Sequence, residues 1–194
     1  EREALASLLL VLAIFSLRKR KSLKILSVKN TPPVLQKKLG LREDESLIFQ
    51  LVNAGVKPLD QLEQSVLKSL GKPNAVSSYG LYRYFFEISD QQKISIAELI
   101  NDAVADDMVK RKLLTIVPRD VKVPLEPGGS LNAYNSSGVD LNPYSSQCDE
   151  VKKFIDELKK ETIIDVYSNQ VQLYDYMLDY YKKMFCEHSF SFEQ

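Results

Sequence analysis

Catalytic raw material is scarce in this chain of 194 residues, which holds one histidine, His188, and two cysteines, Cys148 and Cys186. Histidine is the side chain that most readily gains or loses a proton near neutrality, so acid–base chemistry has one candidate, close to the C-terminal end. Cys186, Glu187 and His188 are consecutive; on a helix they point about 100° apart and cannot grip one metal together. No G-x-S-x-G, C-x-x-C or H-E-x-x-H occurs, and Gly128-Gly129 lacks the flanking strand and helix of a phosphate loop. No catalytic residue, metal ligand or cofactor is expected, and the chain reads as non-enzymatic. Two isolated cysteines in so long a chain are expected to be reduced, in an intracellular protein of cytoplasm or nucleus.

A dominant charge is missing too. Lys plus Arg and Asp plus Glu both number 26, so no global field draws nucleic acid or anionic membrane, and any such partner needs a local patch. The densest basic cluster is Arg18, Lys19, Arg20, Lys21 and Lys24, which suits phosphates or lipid heads and also complements the end of a helix before it. The acidic groups Glu43-Asp44-Glu45 and Asp102, Asp106 and Asp107 read as a helix start and a solvated helix face.

Long apolar runs are likewise absent. Ala4 to Leu17 is broken only by Ser7 and Ser16, yet its helix would rise about 21 Å against roughly 30 Å of hydrocarbon. It reads as a buried core or interface helix, with a membrane-associated segment and a signal remnant as rivals. A start at Glu1 without methionine is expected of a processed product or a fragment.

What the chain does have is a composition that is 44% hydrophobic and 27% charged, enough apolar mass for a core without staples. It also has a tyrosine-rich seam: Ile164, Tyr167, Val171, Tyr174, Leu178, Tyr181 and Phe185 recur at alternating spacings of three and four. That spacing predicts a helix from Ile164 to Phe185 that docks on a partner chain or on a second copy, since tyrosine pairs large apolar area with a water-tolerant hydroxyl.

Upstream, a helix is expected from Arg2 to Lys19, an extended segment from Ser22 to Val28, and a short helix entered through Pro32 and Pro33 and closed by Gly40. Asp44 to Ala54 reads as a further helix closed by Gly55. Leu59, Leu62, Val66 and Leu70 share a helix face ending at Gly71. Tyr79 to Ile88 reads as an aromatic strand, paired with Leu113 to Val117 in a small ribbon. Ser95 and Glu98 form a capping box for a helix bearing Ile96, Leu99, Ile100, Ala103, Val104 and Met108 on one face. Val151, Phe154, Ile155 and Leu158 mark another helix, with a break near Thr162.

The fold expected is mainly α, an irregular multi-helix bundle with a minor two-stranded β ribbon and a C-terminal helical pair. Its parts are a body over 1–117, an irregular linker or surface loop over 118–147, and a helical hairpin or kinked pair over 148–194. The expected role is a protein–protein interaction or assembly subunit of a larger complex, docking through amphipathic helices. The rival roles are a nucleic-acid-associated protein using the basic cluster 18–24 and a peripheral membrane protein using 4–17.

Overall fold

The computed structural model describes residues 1–111, 114–119, 136–141 and 145–187. Its axis is α1 (Arg2–Lys19), whose apolar residues lie all round the helix, so it needs walls on every side. Leu10, Val11, Ile14 and Leu17 are completely buried. Lys21, at φ 60°, ends the helix in the left-handed conformation that glycine usually supplies. Among the described residues no helix is long and apolar enough to cross a membrane.

The first wall of α1 is an antiparallel sheet. Strands β1 (Leu23–Ser27), β2 (Leu47–Leu51) and β3 (Ala75–Ser77) lie in the order β1-β2-β3, with Ile25 opposite Phe49 and Phe49 opposite Val76. Residues Asp44 to Ala54 are therefore not a helix. Leu47, Ile48 and Phe49 are all buried because the central strand is covered on both faces, and double coverage erases the alternation that marks a strand. Between β1 and β2 lie a 3-10 turn (Val28–Asn30) and the expected short helix α2 (Pro33–Leu39), which Gly40 closes at φ 58°. Gly55 stops no helix; it lies in the turn before α3 (Gln61–Ser69).

Helices supply the other walls. In α3 the Asp60 carboxylate accepts from the Glu63 amide, and in α5 (Ile96–Lys110) Ser95 does the same for Glu98, as the capping box requires. Tyr79 to Ile88 is helical, within α4 (Ser78–Gln92), and not a strand. Aromatic β propensity loses there to a start signal: Ser77 Oγ accepts from Gly80 N, and buried Leu81, Tyr82, Phe85 and Ser89 follow at helical spacing. Leu114–Arg119 (β4) is extended as expected but pairs with Ser136–Leu141 (β5), so the supposed linker holds a strand. The remainder of 118–147 lies outside the described residues as far as α6 (Ser145–Leu158).

The expected helix from Ile164 begins nine residues later. Thr162–Ile164 (β6) and Gln170–Gln172 (β7) form a hairpin, and α7 runs over Leu173–Glu187. The break near Thr162 is present; a β-branched run enters the hairpin and Asp165 closes its loop. α7 packs on α1, where its Leu173, Tyr174, Met177, Tyr181 and Phe185 join one apolar cluster with residues of α1, β1 to β3, α3, α4 and α5. The protein is thus mostly helical, but α with β and not purely α.

Candidate functional site

The tyrosine seam divides. Tyr174, Tyr181 and Phe185 face inward: Tyr174 sits 6.3 Å from the Phe15 ring, and Phe185 lies 5.9 Å from Tyr181 and 6.5 Å from Tyr82. Buried hydroxyls need partners, and Tyr181 Oη donates to the Ser78 carbonyl at 3.0 Å. Burial also pushes the Tyr180, Tyr181 and Tyr82 phenols well above their ordinary acidity range. Leu178 and Val171 are half-buried. Ile164 and Tyr167 point to solvent, 45% and 75% exposed, at the tip of the hairpin.

That tip is locked. Asp165, itself buried, accepts from the amides of Tyr167 at 2.9 Å and Asn169 at 2.8 Å, while its own amide donates to Asn169 O. Ser168 takes the left-handed turn at φ 66°. The loop is pinned to the body by Val166 N donating to Ser46 Oγ, Ser27 Oγ donating to Ile164 O, and Lys29 Nζ donating to Ser168 Oγ.

The predicted basic cluster is largely spent inside the molecule. Arg18 makes a two-toothed pair with Glu161, Nη1 to Oε1 at 2.7 Å, with its guanidinium 4.7 Å from the Phe15 ring centre. Lys19 lies 4.8 Å from the Phe154 ring centre. Arg20 pairs with the buried Glu63 and donates to the Lys57 carbonyl. Lys21 and Lys24 remain exposed.

Arg18, Lys19, Phe154, Glu157 and Glu161 line a cleft of about 250 Å³ between α1 and α6. Its cations are already matched by its own carboxylates and rings, so it works as a clasp holding α6 to α1. Helical geometry explains the orientation: Glu150 and Glu157 form one flank of α6 and Lys152 and Lys153 lie off it, and Glu157 lines the cleft with Arg18 and Lys19. Above the clasp the apolar stripe of α6 loses its cover. Leu158 is buried and Phe154 and Ile155 are half-buried, while Val151 is 48% exposed.

One carboxylate of each acidic cluster caps a helix. Glu45, buried, accepts from the Arg42 and Tyr79 amides and so caps α4, and Asp107 accepts from Gln61 N at the start of α3. Burial raises the pKa of Asp60 beside it. Asp102 and Asp106 are exposed. Among the described residues no group of three or more His, Cys, Asp and Glu side chains gathers as metal ligands would. Cys186 is exposed on α7; the Cys148 side chain, Gly128, Gly129 and His188 lie outside the described residues.

Sequence reasoning missed a group of exposed lysines beyond the 18–24 cluster: Lys29 in the 3-10 turn, and Lys37 and Lys38 on α2 beside the exposed Val34. The signal was in the chain, because Ala4 to Arg42 contains no aspartate or glutamate at all. A net charge of zero conceals this segregation. Comparison with protein families, curated proteins and solved structures gives no match to this chain.

Proposed function

We propose that this protein is a non-enzymatic interaction or assembly subunit that docks through the uncovered part of the α6 stripe. The observation that carries this reading is the partial burial of that stripe. An amphipathic helix gains stability by covering its apolar face, and among the described side chains of α6 only Leu158, at the end held by the clasp, is buried, leaving Val151, Phe154 and Ile155 partly wet. The occupant is another protein chain or a second copy, laid along α6 as helices pack in a groove. Of the seam residues first assigned to partner binding, Tyr174, Tyr181 and Phe185 serve the chain's own core in this reading, and α6 takes their place.

A photoreactive amino acid placed at Val151 in the full chain, within its own cells, is expected to give a discrete cross-linked species. The same probe at Asp102 is the control. No species from position 151, or the same pattern from both positions, defeats the reading. Light scattering separates the two occupants: a two-chain mass that Val151→Lys reduces to one identifies a second copy.

A further inference from the structure

Five lysines exposed on the first third of the fold, Lys21, Lys24, Lys29, Lys37 and Lys38, make no ion pair among the described residues. The arginines of the same acid-free stretch are engaged: Arg18 and Arg20 as above, and Arg42 with Asp44 and over the Tyr79 ring. The positive field left facing water is therefore lysine alone. Three of these lysines are tied structurally to the hairpin tip. Lys29 holds Ser168, next to Tyr167, and Gln36 of α2 donates to the Val28 and Thr31 carbonyls, fixing α2 to the turn that carries Lys29. On α2, Val34, Lys37 and Lys38 stand at i, i+3 and i+4, one face of the helix, with Gln36 turned the other way.

We propose that this surface, Lys29, Lys37 and Lys38 with Val34, Ile164 and Tyr167, rests on an anionic lipid bilayer. Val34 at 68% and Tyr167 at 75% exposure protrude, and the cleft described above lies elsewhere, between α1 and α6. A bilayer receives protrusions, whereas a peptide needs a groove. Tyrosine suits the depth of the headgroups, the aliphatic side chains enter the acyl boundary, and lysines on flexible stems meet the phosphates. Nucleic acid fits less well. Val34 and Ile164 have no role against phosphates, and lysine is a point charge that lacks the two-pronged geometry of arginine. The site is distinct from the apolar helix α1, which is walled into the core, and from the α6 stripe assigned to protein docking.

The test is flotation of the full chain with vesicles of phosphatidylcholine containing about 30 mol % phosphatidylserine, against phosphatidylcholine alone. Binding is expected only to the anionic vesicles and is expected to fall as salt rises from about 0.1 M to 0.5 M, where the Debye length shrinks. Each lysine near such a surface contributes roughly fivefold, so K29Q/K37Q/K38Q should lower partitioning about a hundredfold and K29E/K37E/K38E further. V34S/I164S/Y167S should weaken binding while keeping the salt dependence. K152E/K153E, on α6, should leave it unchanged, and unaltered melting curves establish that every variant is folded. No flotation, equal flotation with neutral vesicles, or an equal loss in the α6 variant overturns the proposal. So does lysine-dependent binding to a single-stranded 20-mer without flotation, which would make this a polynucleotide site. Flotation that persists when cross-linking at position 151 has failed leaves this proposal standing and removes the docking one.

Discussion

The hairpin over 162–172 and the helix over 173–187 share one run of apolar spacing and have opposite fates. Tyr181 is wholly buried and Tyr167, fourteen residues earlier, is the most exposed large apolar side chain described. The difference lies in Asp165, whose carboxylate gives two loop amides a partner that a helix would have supplied from its own carbonyls. Burial is then decided by distance from α1: α7 lies along it, and the tip is held at the rim by Ser27, Lys29 and Ser46. Periodicity tells which residues can share a face, and local turn chemistry decides whether the face exists.

The sharpest way to break this comparison is to truncate both tyrosines. Tyr181→Ala should cost about 3–5 kcal/mol in chemical denaturation, from the cavity and the orphaned Ser78 carbonyl, while Tyr167→Ala should stay within about 0.5 kcal/mol. Equal costs would show the burial assignment to be wrong. Asp165→Ala should cost about 1–3 kcal/mol and speed hydrogen exchange at the Tyr167 and Asn169 amides, leaving α7 amides protected; uniform exchange would unite the two regions in one cooperative unit.

Alkali sharpens the same contrast through its sign. The buried phenols keep their protons in the folded state above the pH, about 10, at which unfolded tyrosine loses them. The folded state then binds more protons than the unfolded one, so the contribution of these phenols to stability is constant below pH 10 and declines above it. Tyrosinate absorbance from the buried rings should rise together with unfolding. Tyr181→Phe should move the midpoint of alkaline unfolding upward. Smallest is the cap on α3: Asp60→Ala should cost about 1 kcal/mol, and Asp60→Asn, which keeps an acceptor for Glu63 N, only a few tenths. Equal losses from the two would mean that the charge, and not the cap, holds that turn.

Local signals in the sequence located most helices correctly. The proline entry and glycine exit of α2, the Ser95 and Asp60 caps and the all-round apolar character of α1 each carry their own chemistry at short range. What misled was context from distant residues. Leu47 to Phe49 looks helical until both sheet faces are known to be covered, and the aromatic run from Tyr79 looks extended until Ser77 and Glu45 are seen capping it. The basic cluster at 18–24 was legible as charge, but its partners Glu161 and Glu63 lie far along the chain, so its neutralisation was not. Lys29, Lys37 and Lys38, which also remain in water, were visible only as an interval without carboxylates.

The central position of α1 also sets a timetable for synthesis. Its final wall, α7, leaves the ribosome more than 150 residues later, a delay of about 8–30 s at ordinary elongation rates. Throughout that interval the greasiest segment of the chain has been made and its enclosure has not. A nascent product stalled before Leu173 is therefore expected to bind chaperones or aggregate, and release from them should coincide with the emergence of the last helix.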